Sequence, residues 1–409
     1  MSAFLDALDQ RVLVFDGAFG TWMQARDLTA DDFGGPALEG CNEMLVLTRP
    51  DLVAAMHADY FDAGVDAVET ATFGAFPLVL NEYQIPEKTF EINETAARIA
   101  REVADRYAAD GRPRFVIGSI GPGTRLPSLG HIPFTQLRDD YTQQVEGLLA
   151  GGVDVVLVET VYDLLQAKAA IVGARRAMAA HGVEVPIMVQ VTIETTGRML
   201  VGSEIGAALT ALEAMRPDVI GLNCATGPTE MTEHLRYLAQ HSRTRLSCLP
   251  NAGLPSVVDG HTHYDLTPEG LADAHERFVT EFGLNIVGGC CGTTPAHLRA
   301  VVDRLGTIAG RAPVARTPQV EPGCSSIYSH VPFDQDVTYL AIGERTNANG
   351  SKAFREAMLA ADWDTCVRMA REQVGEGAHV LDVCVDYVGR DGTIDMHEIA
   401  SRFATQASL

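Results

Sequence analysis

The amino-acid sequence predicts an α/β protein in which a (β/α)8 TIM barrel is followed by a truncated second (β/α) barrel. Two observations predict the first barrel. Short apolar runs alternate with longer amphipathic segments about eight times before residue 308, and motifs rich in glycine and polar residues follow most of these runs. A third observation predicts the second barrel: the same alternation restarts after a proline-rich stretch.

The predicted barrel strands are short runs rich in β-branched and other apolar residues. They lie at 12–15, 67–70, 115–118, 153–158, 187–191, 219–222, 246–249 and 285–287. Helical segments such as 50–63, 91–108 and 164–180 separate them, which is the pattern of βαβ units and a parallel sheet. About eight such units within one domain favour a closed barrel over an open sheet.

Residues that carry chemistry follow the strands at one predicted rim. The motif at 16–21 follows the first strand, the motif at 69–74 the second, and Glu159 the fourth. Cys224 ends the sixth strand, and the pair at 290–291 ends the eighth. Because the loops after the strands of a TIM barrel share its C-terminal rim, we expect these residues to form one active site.

Cys224, Cys290 and Cys291 are the candidate catalytic residues and metal ligands. Gly288, Gly289 and Gly292 flank the adjacent pair and allow the tight bend that aims both thiols at one point. Three thiolates would hold Zn²⁺ and leave one position open, and a substrate thiol bound there is deprotonated but stays nucleophilic. A vicinal disulfide is the alternative. We expect the other cysteines to be core residues: Cys41, Cys248, Cys324, Cys366 and Cys384.

A pocket for an α-amino acid is predicted beside these thiols. The rim carboxylates Asp16, Glu69, Glu159 and Glu194 suit a substrate ammonium group, although each of them is also placed to cap a helix. Backbone N–H groups in 16–21 and 72–74 are candidates for holding a carboxylate. His261, His263, Tyr264 and His297 lie near the last two barrel loops; we expect surface histidines there, and a histidine ligand remains an open alternative.

Composition excludes several classes of partner. The formal net charge is −23, from 31 basic and 54 acidic residues, which disfavours nucleic acid and anionic membrane surfaces. The N-terminus lacks a basic segment followed by an apolar core, and about 18 uninterrupted apolar residues occur nowhere. We expect a cytoplasmic protein with reduced thiols, because eight scattered cysteines in 409 residues do not resemble a disulfide framework.

The predicted domain division is a barrel at 1–308, a linker at 309–336 and a second domain at 337–409. Four prolines interrupt the linker at 313, 318, 322 and 332. The second domain is predicted to contain strands at 338–342 and 380–385 and helices at 351–361, at 362–375 and from Met396. Two βα units cannot close a barrel, so we expect only the beginning of one.

Five motifs resemble the homocysteine S-methyltransferase family. They are FDGAFGT at 15–21, ETATFG at 69–74, GSIGP at 118–122, GLNC at 221–224 and GGCCGT at 288–293. The resemblance covers roughly residues 1–310. It implies that Cys224, Cys290 and Cys291 bind zinc, that homocysteine thiolate is the fourth ligand, and that Asp16 and Glu159 contact its amino group. The second motif departs from the family, which usually has asparagine where this chain has Ala71.

A second resemblance concerns GERTN at 343–347 and LDV at 381–383. These motifs are similar to the start of the methyltetrahydrofolate-binding barrel that follows the homocysteine barrel in cobalamin-dependent methionine synthases. The resemblance implies that Glu344 and Asp382 face the pterin, in an incomplete site. It also implies methylcobalamin as methyl donor, bound by a module that we do not find in this sequence and supplied in trans.

The sequence thus predicts a zinc-dependent homocysteine S-methyltransferase that forms methionine. Its candidate substrate-binding residues are Asp16, Gly17, Ala18, Thr72, Phe73, Glu159 and Asn223. One alternative is a stand-alone homocysteine methyltransferase with a betaine or sulfonium donor. Another is a non-catalytic remnant that binds zinc, homocysteine or a partner protein.

Overall fold

The computed structural model describes residues 2–258, 261–306, 313–336 and 338–407. The chain divides into two compact units. The first comprises Met1–Val201 and Leu212–Gln319, and the second comprises Gly202–Ala211 and Val320–Leu409. The expected linker at 309–336 lies partly outside the described residues, and the predicted domain boundaries stay predictions.

The first unit contains the predicted barrel. The strands of this unit in chain order are β1 Leu13–Val14, β2 Ala67–Glu69, β3 Phe115–Ile120, β4 Val155–Val161, β5 Ile187–Val191, β6 Val219–Asn223, β7 Arg245–Leu249, β8 Ser256–Val258, β9 His261–His263 and β10 Ile286–Val287. Strands β8 and β9 form a separate antiparallel hairpin. Among the described residues, eight parallel strands pair in the order β1-β10-β7-β6-β5-β4-β3-β2. A parallel bridge from Phe15 to Ala67 brings β1 beside β2 and closes the ring.

Apolar side chains from alternate strand positions fill the inside of the barrel. Leu13, Ile117, Leu157 and Met188 belong to this cluster, and every residue of β3, β4 and β5 is buried. The ring of Phe4 in the first helix packs edge-on against Phe115 at a centroid distance of 5.4 Å. Because Phe115 begins β3, this helix covers the N-terminal end of the barrel and leaves the C-terminal rim for the polar motifs.

The helices alternate with the strands as the sequence pattern predicts. Their bounds are α1 Ala3–Gln10, α2 Phe19–Gln24, α3 Leu45–Thr48, α4 Pro50–Ala63, α5 Pro77–Leu80, α6 Thr89–Tyr107, α7 Phe134–Ala150, α8 Leu164–His181, α9 Ile205–Ala214, α10 Pro228–His241, α11 Pro268–Phe282 and α12 Pro295–Gly306. Local signals define the ends of α8, because Asp163 caps the Leu165 N–H at 2.8 Å and Gly182 ends the helix in a left-handed conformation. None of the described helices is both long and apolar enough to cross a bilayer.

The second unit contains two pairs of strands and three further helices. The bounds are β11 Gly323–Ser325, β12 His330–Pro332, β13 Ile342–Asn347, α13 Lys352–Leu359, α14 Trp363–Gly375, β14 Val380–Cys384 and α15 Gly392–Gln406. Strands β11 and β12 form an antiparallel hairpin within the expected linker, whereas β13 and β14 are parallel. A small core of Phe354, Met358, Cys366, Ile399 and Phe403 joins the helices to this parallel pair.

Two boundaries in the second unit were predicted wrongly. The strand expected at 338–342 begins only at Ile342 and continues to Asn347. The polar residues after Ile342 pair with β14, and the Thr346 hydroxyl donates to the Asp382 carbonyl at 2.6 Å. The last helix begins at Gly392 instead of Met396, because Asp391 caps the N–H groups of Thr393 and Ile394.

Candidate metal and amino-acid site

The three predicted cysteines converge at the C-terminal rim of the barrel. The Sγ atoms of Cys224, Cys290 and Cys291 all lie within 4.8 Å of one another, and those of Cys224 and Cys291 are 3.9 Å apart. Tetrahedral zinc with Zn–S bonds of about 2.3 Å requires sulfur atoms about 3.8 Å apart. The cluster therefore has the dimensions of a three-thiolate metal site.

Unusual backbone conformations aim these thiols. Cys224 and Ala225 both have left-handed conformations, with φ of 61° and 59°, which turn the chain sharply after β6. Gly292 has φ of 80°, and a Cβ at this position would overlap the ring of Tyr264. A Cβ on Gly289 would overlap Thr293. Glycine is thus required on both sides of the adjacent cysteines.

The thiols share negative charge unequally. Hydrogen bonds from the side chains of Cys224 and Cys290 lower the pKa of Cys291 to about 3. The side chains of Cys224 and Cys291, together with burial, raise the pKa of Cys290 well above its usual range. One thiolate is therefore stable within the cluster, whereas deprotonation of all three requires a cation among them.

Three carboxyl groups gather on the β1, β2 and β4 side of the same rim; Asp16 and Glu159 are buried, and Glu69 is half-buried. Burial raises the pKa of Asp16 and Glu69 well above the usual range and that of Glu159 to about 7, and charge repulsion links the three. Asp16 Oδ1 and Glu69 Oε1 are buried without a hydrogen-bond partner. A buried, unpartnered oxygen is unfavourable, so these groups suit a cationic ligand with several N–H donors.

Asn223 links the carboxyl groups to the thiols. Its Nδ2 donates to Glu159 Oε2 at 3.0 Å and to Thr160 Oγ1 at 2.8 Å, and its Oδ1 accepts from the Thr160 N–H at 2.8 Å. Ser119 Oγ donates to the other oxygen of Glu159 at 2.5 Å. The amide of Asn223 thus binds both Glu159 and Thr160 and orients Glu159 from the residue directly before Cys224.

The expected carboxylate-binding backbone is partly engaged within the protein. The Ala18 N–H donates to Thr293 Oγ1 at 3.3 Å, and the Gly74 N–H donates to Glu43 Oε1 at 2.9 Å. A Cβ on Gly17 would overlap the Thr293 hydroxyl, which explains glycine at this position. The Phe73 ring is 43% exposed. A carboxylate contact in this region stays a prediction.

Histidine does not join the thiols among the described residues. His297 uses Nδ1 with Thr294 Oγ1 and Nε2 with the Leu266 carbonyl, both at 2.9 Å. His263 pairs with Asp265 at 3.0 Å. The side chain of His261 lies outside what the structure describes. In the described part of the chain, these three thiols are the group of side chains whose spacing could hold a metal ion.

Comparison with protein families agrees with this geometry. The Homocysteine S-methyltransferase family model matches residues 13–305, which is most of the chain. The chain belongs to the homocysteine S-methyltransferase family. The Pterin binding enzyme model matches residues 343–408.

Curated relatives of this homocysteine S-methyltransferase family member include two mycobacterial proteins named methionine synthase. The protein of Mycobacterium tuberculosis is 54% identical over 405 residues, and that of Mycobacterium leprae is 52% identical over 407 residues. Each alignment covers 99% of this chain but only 34% of the relative. The chain therefore spans about a third of the length of these relatives.

A solved structure confirms the barrel fold. The homocysteine methyltransferase MmuM from Escherichia coli, in its metallated form, has a TM-score of 0.60 and 23% identity. The similarity covers 74% of this chain and 98% of MmuM. At this level of identity the comparison establishes the fold alone.

The structure distinguishes several residues near the site that the sequence patterns did not single out. Glu69 was one of several rim carboxylates, and only the structure shows its buried, unpartnered oxygen beside Asp16 and Glu159. Tyr162 and Tyr264 flank the thiols. Burial is the main cause, and the nearby cysteines the second, of a pKa of about 12 for each tyrosine. The position of Tyr162, directly after the fourth strand, was the available signal.

The predicted pterin residues lie in the second unit. Glu344 is an exposed residue inside β13, not in a loop after it. Asp382 lies in the neighbouring strand β14, where its Oδ2 accepts from Asn347 Nδ2 at 2.8 Å. The two residues thus occupy adjacent parallel strands, and a pterin contact for either remains a prediction.

Proposed function

We propose that this chain is the zinc-dependent homocysteine S-methyltransferase part of a cobalamin-dependent methionine synthase. The convergence of Cys224, Cys290 and Cys291 beside three carboxyl groups whose pKa is raised carries the proposal. In this proposal residues 1–308 form the homocysteine barrel, 309–336 link the domains, and 337–409 begin a pterin-binding barrel.

The cysteine cluster fits zinc in its chemistry as well as its dimensions. Cys224, Cys290 and Cys291 would hold the ion, because three nearby thiols cannot all ionise without a cation and sulfur is a preferred zinc ligand. When bound, zinc lowers the pKa of a substrate thiol and keeps the resulting thiolate nucleophilic.

The carboxyl groups orient the other end of homocysteine. Asp16 Oδ1 and Glu69 Oε1 need donors, and a substrate ammonium group supplies three. Asn223 holds Glu159 toward the same pocket and precedes Cys224 directly, so the ammonium and sulfur ends of the substrate are positioned by consecutive residues. The segment from Gly17 to Ala18 and that from Thr72 to Phe73 are the proposed neighbours of the substrate carboxylate.

Two tyrosines border the reacting sulfur. The phenols of Tyr162 and Tyr264 stay protonated at neutral pH, because burial and nearby negative charge raise their pKa to about 12. The Tyr264 side chain is hydrogen-bonded with Cys291 and so moderates the charge on that sulfur.

The proposed methyl donor is methylcobalamin, presented by a cobalamin-binding module or supplied in trans. Support comes from the match of residues 343–408 to the pterin-binding model and from the methionine synthases that align with the whole chain. Homocysteine sulfur would lose its proton and gain the methyl group while the cobalt–carbon bond of the donor breaks and leaves its electron pair on the cobalamin, so the product would be methionine. Glu344 and Asp382 are the proposed pterin contacts.

The test is methionine formation by zinc-loaded protein from L-homocysteine and free methylcobalamin. We expect turnover that is lost in Cys290→Ala, with Cys248→Ala, a buried cysteine outside the cluster, as the matched control. Absence of product above the Cys290→Ala background would contradict the proposal. Methyl transfer from betaine or S-methylmethionine, but not from methylcobalamin, would instead identify a stand-alone enzyme with a small donor.

A further inference from the structure

We propose that His275 is a positioning residue for the metal-binding loop 288–293, replacing a backbone donor that Pro250 cannot provide. This inference rests on the proposed zinc site. His275 lies on α11, is fully buried, and directs Nε2 to the Gly288 carbonyl oxygen at 2.7 Å. Gly288 precedes Cys290 by two residues, so this bond fixes the chain where it leaves β10 for the cysteine pair.

The register between β7 and β10 explains why a side chain is needed. The Cys290 N–H donates to the Pro250 carbonyl at 2.8 Å. In a parallel sheet, a residue whose carbonyl accepts a hydrogen bond from residue i+1 of the neighbouring strand donates its own N–H to the carbonyl of residue i−1 of that strand. The matching donor for the Gly288 carbonyl would be the N–H of residue 250, but proline has none. His275 Nε2 occupies the place of this missing donor.

The protonation of His275 agrees with this role. Burial lowers its pKa to about 4, so the ring is neutral at physiological pH and carries one N–H. A carbonyl oxygen only accepts, so that hydrogen must be on Nε2. Nδ1 is buried without a partner. The bond to Gly288 is therefore the one polar interaction of the ring in the described structure. Without that bond, an apolar side chain would fill this position with a smaller desolvation penalty.

The other residues of the loop are held by separate contacts. The Gly289 N–H donates to the Asp16 carbonyl at 3.0 Å, and the Ala252 N–H donates to the Cys291 carbonyl at 2.9 Å. The Gly292 N–H donates to Thr21 Oγ1 at 2.9 Å. Removal of the His275 contact should consequently loosen the approach to Cys290 without unfolding the loop. Metal affinity and ligand geometry are the properties that should change.

The test compares zinc affinity and the cobalt(II) absorption spectrum in variants of the full chain. His275→Phe removes the donor and should weaken zinc binding by about tenfold or more, the usual effect of losing an outer contact of a metal site. It should also shift the sulfur-to-cobalt charge-transfer bands. His275→Gln places an amide N–H near the position of Nε2 and should restore both properties.

Two further variants make the test specific. His57→Phe is the matched control, because His57 is equally buried and its ring nitrogens have no partner in the described structure; its zinc affinity should equal that of wild type. Pro250→Ala restores the missing N–H and should recover part of the affinity lost in His275→Phe. If His275→Phe does not fold, His275→Asn, whose amide is too short to reach Gly288, takes its place.

The results separate this inference from the proposed function. If wild-type protein binds no zinc, the proposed function fails. If wild type binds zinc and His275→Phe binds it equally well with an unchanged cobalt spectrum, the role of His275 is contradicted. The inference is also overturned if neither His275→Gln nor the added Pro250→Ala change restores affinity, because a missing hydrogen bond would then not be the cause.

Discussion

Asn223 donates its side-chain amide to Glu159, with 3.0 Å between Nδ2 and Oε2, while the next residue along the chain is a thiol of the metal cluster. The end of β6 therefore orients a carboxyl group of the proposed amino-acid pocket and supplies a proposed metal ligand from the next residue. The left-handed conformation of Cys224, with φ of 61°, permits the two consecutive side chains to serve these separate tasks.

Asn223→Ala should raise KM for homocysteine about tenfold while zinc remains bound, because a hydrogen bond to a charged group contributes about 1.5–3 kcal/mol. Steady-state kinetics and metal analysis check this. Asn93→Ala is the matched control: Asn93 is equally buried and donates to the Ala75 and Thr89 carbonyls, away from Glu159. An unchanged KM in Asn223→Ala would show that Glu159 needs no support from this amide.

Asp16→Asn should raise KM for homocysteine by at least about tenfold, because an amide cannot ionise to the carboxylate that the proposed contact with the substrate ammonium group requires. Zinc content should stay at the wild-type level, since Asp16 is not one of the clustered thiols. The same kinetic and metal measurements apply. Loss of zinc together with activity would indicate that Asp16 supports the metal loop instead of the substrate.

Gly221→Ala should destabilise the barrel by roughly 3 kcal/mol or more, because overpacking a strand interior forces the backbone apart. A Cβ on Gly221 would overlap the side chain and the carbonyl of Ser247 in β7. Gly306→Ala is the control, because none of the described residues lies within 4 Å of the Cβ it adds. Urea unfolding measures both; equal stability of the two variants would contradict the close approach of β6 and β7.

Lowering the pH from about 6.5 to 4 should destabilise the fold through His57. Burial lowers the pKa of His57 to about 3, so in this range the unfolded chain binds a proton that the folded chain does not. The free energy of unfolding therefore falls as pH falls. His57→Phe should lose less stability over this range than wild type, measured by urea unfolding at each pH. Identical pH dependence in both proteins would show that His57 titrates normally when folded.

Much of the fold follows from residue patterns that do not depend on long-range packing. Runs such as Ile187–Val191 are short, apolar and separated by helical periodicity, and the structure has this strand with the predicted bounds. The cysteines were identifiable because glycine surrounds the adjacent pair at 290–291 and each thiol ends a strand. Wherever local chemistry determines the local structure, the sequence was sufficient.

The remaining features depend on register and burial. Glu69 becomes distinct from other rim carboxylates only because one of its oxygens is buried without a partner. The role of His275 becomes apparent only from the β7–β10 register, which directs the backbone nitrogen of Pro250, a residue without an N–H, toward the Gly288 carbonyl. The strand Ile342–Asn347 was missed because its polar residues obtain their partners from β14.

Zinc K-edge X-ray absorption on the zinc-loaded chain, with and without L-homocysteine, tests the central claim most directly. Zinc held by three cysteines should show three sulfur neighbours at about 2.3 Å, and saturating homocysteine should add a fourth. The Cys290→Ala protein should not give this three-to-four change. If wild-type zinc keeps the same sulfur count with saturating homocysteine, the substrate sulfur does not bind the metal and the account is contradicted.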